Sequence, residues 1–174
     1  MSQTGMQPGA ALLPRIPDES VCSTLLAQIP PQVAAHSRAV QRLALEMCDA
    51  LAAHGVRLNR ALLSAAALLH DICRTEPNHA FAGAQKLRDL GYPEIADIVA
   101  VHHDWSGGPF DESALLYLAD KHMQGDRRVT LEERFERSRA KCHTEQALCA
   151  HDRRYRLALE AQQQYNLLIG EKQP

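Results

Sequence analysis

The stretch Leu62-Leu-Ser-Ala-Ala-Ala-Leu-Leu-His70-Asp71 decides how this chain folds. Its apolar residues would fall on every face of a helix, and a helix that is apolar all round is a buried helix. The stretch ends in two titratable groups, and the burial of unpaired polar groups costs several kcal/mol. His70 and Asp71 therefore need partners, and we predict that these partners are metal ions.

The dipeptide alone is weak evidence, because His-Asp also occurs at 103–104 and 151–152. Further ligands must come from other helices. His36 lies in an apolar stripe of the helix predicted from Pro31 to about His54, where apolar positions step by three and four residues. A buried histidine with a satisfied hydrogen bond is the alternative interpretation of His36. His79 begins a later helix and shares one side of it with apolar residues.

Two more candidates follow near the ends of apolar helices. Pro93 suits the first turn of a helix whose apolar face leads to His102, with His103 as a rival for the inward position. Asp111 can cap the next helix, which runs through an apolar segment to Asp120. An aspartate after such a run is unusual unless it is paired.

The periodicity predicts an all-α protein, a single bundle of about seven helices. No stretch alternates convincingly as a strand would. We expect a loose arm at 1–17, a metal-binding core at 18–126, and C-terminal helices packed on the core at 127–174.

Composition excludes several function classes. The formal net charge of -2 leaves no electrostatic footprint for nucleic acid or an anionic membrane. No apolar run reaches the ~18 residues that span a bilayer, and the N-terminus does not have the pattern of a signal peptide. Five cysteines, an odd number without Cys-x-x-Cys spacing, indicate a reducing compartment. We therefore expect a cytoplasmic protein.

Imidazole and carboxylate groups without a thiolate suit Mn, Fe, Ni, Co or Zn. Four such ligands can hold one ion and six can hold two, with a shared carboxylate between them. The candidate ligands are His36, His70, Asp71, His79, His102 and Asp120. The sequence thus predicts one or two divalent transition metal ions.

The order of His36, His70-Asp71 and Asp120 resembles the HD superfamily of metal-dependent phosphohydrolases, over about residues 30 to 125. The resemblance implies that these residues bind metal and that Asp71 bridges when two ions are present. His79 and His102 match the added histidines of a branch similar to the diadenosine tetraphosphatases. The segments around His79, His102 and Asp120 look closer still to small HDIG-type proteins associated with nucleotidyltransferases of molybdenum cofactor synthesis.

The resemblance implies hydrolysis of a phosphate ester or anhydride of a nucleotide-type substrate by a metal-activated water, with Asp71 and Arg74 as catalytic residues. Arg74 stands where the family often has a lysine, and it either grips phosphate or only pairs with Glu76. Lys121 and Arg128 are further candidates for substrate binding, with a solvated charged face as the alternative.

Two other functions stay open at this point. The chain could be a metal-binding regulatory or docking module without turnover, and the C-terminal helices would suit a partner enzyme or a homodimer. Di-iron oxygenase chemistry is the third option. Trp105 either stacks on a base at the mouth of the site or packs its own loop.

Overall fold

A computed structural model describes residues 15–170 of the chain. Most of the predicted N-terminal arm therefore lies outside the described residues. The described part is helical apart from one short hairpin. Its elements are α1 (Glu19–Leu26), α2 (Pro31–Ala53), α3 (Arg60–Leu69), α4 (His79–Asp89), α5 (Pro93–Val101), α6 (Glu112–Lys121), β1 (Met123–Gln124), β2 (Arg127–Arg128), α7 (Leu131–Arg139) and α8 (Glu145–Leu168).

The all-α prediction is confirmed, with eight helices in residues 15–170 where the sequence predicts about seven. The helix starts follow local chemistry. Asp18, Asn59 and Asp111 each accept a hydrogen bond from a backbone N–H in the first turn, which satisfies donors that the helix leaves unpaired. Thr130 and Glu133 form a capping box at the start of α7.

Helix α3 is the centre of the bundle. It packs against α1, α2, α5 and α6, and its residues from Ala65 to Leu69 are all buried. The prediction that this apolar stretch is internal is confirmed. Helix α4 pairs with α5, and the long α8 lies against α6 and α7. Within the described residues, no helix has the length and apolarity needed to cross a bilayer.

The hairpin was not predicted. Met123 pairs with Arg128 and Gln124 with Arg127, so each strand has two residues, too few for an alternating pattern to be visible. Gly125 lies in the turn with φ of 61°, a left-handed conformation that glycine adopts without strain. The hairpin turns the chain from the end of α6 into α7.

A buried histidine connects the two C-terminal helices, although a histidine in so polar a segment is expected on the surface. His151 is only 7% exposed, and its Nε2 lies 2.8 Å from the carbonyl oxygen of Phe135. It joins α8 to α7. All five cysteines are free thiols.

Candidate metal centre

The ends of helices bring the predicted ligands together. His70 and Asp71 follow α3, His79 begins α4, and His102 follows α5. Helix α2 contributes His36 from its inward face, and α6 is the fifth helix that contributes a candidate ligand. The residue from α6 is Asp120, close to the C-terminal end of that helix. All of these residues except His70 line one cavity, which has a volume of about 310 Å³.

Asp71 lies at the centre of this arrangement. Its Oδ2 is 3.9 Å from Nε2 of His36 and 3.7 Å from Nε2 of His70. Its Oδ1 is 3.4 Å from Nε2 of His79 and 3.6 Å from Nε2 of His102. Two groups of potential metal ligands therefore share one carboxylate, one oxygen facing each group.

Asp120 extends the first group. Its Oδ1 is 3.1 Å from Nε2 of His36 and 3.8 Å from Nε2 of His70. Two donors that bind one ion at about 2.1 Å are roughly 3.0 to 3.5 Å apart. The separations in both groups are close to that range, so small side-chain movements suffice for coordination.

Hydrogen bonds to the backbone orient three of the imidazoles. The Nδ1 atoms of His36, His70 and His102 lie 2.7, 2.8 and 2.6 Å from the carbonyl oxygens of Gly125, Ala67 and Val99. A carbonyl oxygen only accepts, so each Nδ1 carries its proton and donates it. Nε2 is then the nitrogen available to a metal, and outer partners of this kind are usual around metal-binding histidines.

His70 provides the most direct test of whether the residues fit a metal. Its side chain is 1% exposed, and its Nε2 is buried without a hydrogen-bond partner. A buried polar atom without a partner is unfavourable, and a cation beside it would remove that cost. The donor set, imidazole and carboxylate without thiolate, suits divalent transition metals.

Electrostatics keep the carboxylates ionised. Burial acts to raise the pKa of Asp71, but the neighbouring His102 and His70 overcome it and hold the pKa below its usual range. Burial also opposes ionisation of Asp120, yet the charge of Lys121 and the bond to His36 keep that pKa well below the ordinary value. Both carboxylates are therefore in the form that binds cations.

The imidazoles differ in the direction in which the site shifts their pKa values. Burial lowers the pKa of His70 to about 4 and also lowers that of His79, so both are neutral at pH 7. Burial acts the same way on His36, but its hydrogen bond to Asp120 outweighs it and raises the pKa. A metal ion that binds to Nε2 of His36 must displace this proton, as is general for metal-binding histidines.

Arg74 is at the mouth of the cavity. Its Nε is 3.4 Å from Oδ2 of Asp71, and its Nη1 is 3.4 Å from Nδ1 of His79. The alternative pairing with Glu76 does not occur in the structure. The side chain is 51% exposed, so it is free to turn toward a ligand.

Lys121 and Arg128, predicted to bind substrate, are placed elsewhere. Lys121 is buried, and its Nζ is 2.7 Å from Oδ2 of Asp120 and 3.5 Å from the carbonyl oxygen of His102. Its position suits the support of a metal ligand. Arg128 is exposed, contacts Glu46 at 3.1 Å and does not line the cavity.

The structure also separates His102 from His103. His102 is 1% exposed and directs Nε2 toward Asp71, whereas His103 lines the cavity outside both ligand groups. Burial lowers the pKa of His103 to about 3, so this ring is neutral.

Trp105 is buried against Tyr117, with ring centroids 5.8 Å apart, and is not at the mouth of the site.

Sequence reasoning missed two cations that line the cavity, Arg134 in α7 and Lys141 after it. Both lie in a polar segment whose charges look like an ordinary solvated face. The only available signal was the spacing of Arg134 from the apolar residues Leu131 and Phe135, which places it beside the buried face of α7.

The fold and the site together define an all-α protein with two histidine and carboxylate groups that share an aspartate and could each hold a metal ion. The chain belongs to the HD domain family, whose profile matches residues 33–154. Members of this family are generally metal-dependent phosphohydrolases that bind divalent metals. The predicted membership is thus confirmed, while the branch within the family stays a prediction.

Two curated relatives match part of the chain. An uncharacterized protein of Methanocaldococcus jannaschii is 32% identical over 105 residues, which are 59% of this chain and 60% of that protein. A tRNA (cytidine(56)-2'-O)-methyltransferase of Picrophilus torridus is 31% identical over 115 residues, 63% of this chain and 32% of the enzyme. The chain thus spans less than two thirds of either relative. No solved structure matches it.

Proposed function

We propose that this protein is a metal-dependent phosphohydrolase that uses an activated water to cleave a phosphate ester or anhydride of a nucleotide-type substrate. The observation that carries the proposal is the position of Asp71, with each carboxylate oxygen facing a separate pair of imidazoles. A pure scaffold would gain little from this arrangement.

The free thiols support a reducing compartment such as the cytoplasm.

The two groups would hold two divalent ions. His36, His70 and Asp120 would bind the first together with Oδ2 of Asp71, and His79 and His102 would bind the second with Oδ1. Such a metal pair lowers the pKa of water and stabilises charge on a phosphoryl group.

Asp71 and Arg74 have distinct roles in this reaction. The ionised carboxylate of Asp71 would hold both ions and, through them, would position the water that attacks phosphorus. The guanidinium of Arg74 would donate hydrogen bonds to the phosphoryl oxygens. Its half-exposed position at the mouth of the cavity allows it to reach them. Stabilisation of developing charge by such donors is usually a large part of the catalytic effect.

The test is metal analysis followed by a panel of nucleotides and dinucleotides assayed with Mn, Co or Ni. We expect phosphate release that Asp71→Ala abolishes together with bound metal. Asp49→Ala is the matched control, because Asp49 is exposed and pairs only with Arg60. Phosphate release that persists in Asp71→Ala would contradict the mechanism. Stoichiometric metal without turnover of any substrate would favour a binding module, and oxygen consumption by an iron form would favour an oxygenase.

A further inference from the structure

Two of the three arginine and lysine side chains that line the metal cavity have no acidic partner among the described residues, whereas the third, Arg74, pairs with Asp71. Arg134 and Lys141 line the metal cavity, and within residues 15–170 neither forms an ion pair. Two arginines of α7 and α8 do have such partners. Arg139 pairs with Asp152, and Arg154 pairs with Asp104.

Arg134 has a second unusual feature. Its Nε atom is buried and has no hydrogen-bond partner among the described residues. A buried donor without an acceptor is unfavourable unless a ligand supplies one. The side chain lies in a half-buried position, three residues after Leu131 and one before Phe135, both of which are buried.

The segment that carries Arg134 is held in place. The backbone N–H of Val129 donates to the carbonyl oxygen of His122 at 2.8 Å, and the capping box at Thr130 fixes the start of α7. His151 on α8 binds the carbonyl oxygen of Phe135. Arg134 is therefore presented to the cavity by an anchored helix.

The charge of the cavity wall points to a polyanion. Its only acidic lining residues among those described are Asp71 and Asp120, which are engaged by imidazoles and by Lys121. Bound divalent metals would add to the positive charge of Arg74, Arg134 and Lys141. One phosphate group would leave much of this positive charge unbalanced.

From these observations, and on the basis of the proposed function, we propose that Arg134 and Lys141 form a second phosphoryl-binding site beside the metal centre. The substrate then carries two consecutive phosphoryl groups. One lies at the metal centre with Arg74, and the adjoining one accepts hydrogen bonds from Arg134 and Lys141. The ligand class is therefore a diphosphate, free or at the end of a larger molecule.

The experiment measures binding of two phosphonates that cannot be hydrolysed, using the manganese-loaded protein and calorimetry. Methylenediphosphonate carries two phosphoryl-like groups, and methylphosphonate carries one. The variants are Arg134→Gln and Lys141→Gln. Arg139→Gln is the control on the same helix, since Arg139 pairs with Asp152 and does not line the cavity.

We expect Arg134→Gln to raise the Kd for methylenediphosphonate about 10- to 100-fold, the range expected for a lost charge-assisted hydrogen bond. The Kd for methylphosphonate should change less than about threefold, and metal content should not change. Lys141→Gln should act in the same direction with a smaller effect, because Lys141 is exposed. The control should bind both ligands as the native protein does.

Equal losses for both phosphonates, or no loss for methylenediphosphonate, would overturn the second site. Lys141 lies in an exposed loop, so Lys141→Gln tests the proposal even if Arg134→Gln does not fold. Binding is measured without turnover. Preference for the diphosphonate without hydrolysis of any substrate would overturn the proposed function alone, and hydrolysis without this preference would overturn the second site alone.

Discussion

At the scale of single residues, Asp71 does what no neighbouring residue can do, because its two oxygens face different groups of imidazoles. Each of the histidines, in contrast, belongs to one group. Mutation of a single histidine should therefore affect one group of metal ligands and leave the other intact.

His79→Ala should remove one metal and leave the other. His79 and His102 face Oδ1 of Asp71, while His36 and His70 keep Oδ2 and Asp120. We expect metal content, measured by elemental analysis of the purified protein, to fall from two ions to one. His143→Ala, which changes an exposed histidine, is the control. An unchanged stoichiometry would remove His79 from the ligand set.

Lys121→Met should weaken metal binding without changing the contact between substrate and Arg74. The buried ammonium of Lys121 holds Oδ2 of Asp120 and so orients the carboxylate with Oδ1 facing His36 and His70. Loss of a hydrogen bond to a charged group costs about 1.5 to 3 kcal/mol, so the affinity for the metal should fall roughly 10- to 100-fold. Metal titration in the presence of a competing chelator measures this. A normal affinity together with a raised KM would instead identify Lys121 as a substrate ligand.

At the scale of elements, the site depends on where helices end and how closely they approach one another. Gly83 lies within α4, where a glycine costs roughly 1 kcal/mol relative to alanine, and a close approach of a neighbouring helix explains that cost. A Cβ atom at Gly83 would lie 3.3 Å from Cγ2 of Ile72 and 3.5 Å from Cγ1 of Val99. Helix α4 therefore packs tightly against the residue that follows Asp71 and against α5, and this contact positions His79.

Gly83→Leu should destabilise the protein and disturb the second metal group. Overpacking of a filled interior costs typically about 1 to 3 kcal/mol, and a displaced α4 would carry His79 away from Asp71. Urea denaturation and metal analysis measure the two effects. Gln85→Leu, on the exposed side of the same helix, should leave both nearly unchanged. A fully stable Gly83→Leu protein with both metals would contradict the tight packing.

At the scale of the whole molecule, metal binding and folding are coupled through the buried ligands. His70 is neutral in the folded metal-free protein because burial lowers its pKa to about 4, against an ordinary value of 6.5. As the pH falls below 6.5, the imidazole of His70 becomes protonated in the unfolded chain but stays neutral in the folded chain down to about pH 4. Stability should therefore fall between pH 6.5 and 4.

In chelator-treated protein, protonation of His70 should lower the free energy of unfolding by about 3 kcal/mol over that pH range. Urea denaturation at a series of pH values measures it. His36, whose pKa is raised, acts in the opposite direction, so the variant His70→Asn serves as the reference. The asparagine keeps a donor for the carbonyl oxygen of Ala67 but does not titrate. Parallel pH profiles for the two proteins would contradict the coupling.

Local chemistry was sufficient to predict most of the fold. The all-round apolar stretch that ends at Asp71 predicts a buried helix, and short polar side chains such as Asn59 mark helix starts, because caps and periodicity act within a few residues. The inward direction of His36 follows from the same periodicity. These features depend on neighbours in the sequence, so they can be inferred without the tertiary structure.

Only the tertiary structure decided which distant residues meet. It placed His102 and not His103 toward Asp71, brought Nζ of Lys121 to the carbonyl oxygen of His102, and brought Arg134 to the cavity. It also formed the hairpin whose Gly125 carbonyl orients His36. Contacts between residues about 20 to 90 positions apart depend on how the helices pack, and packing is a property of the assembled bundle, so no local pattern encodes it.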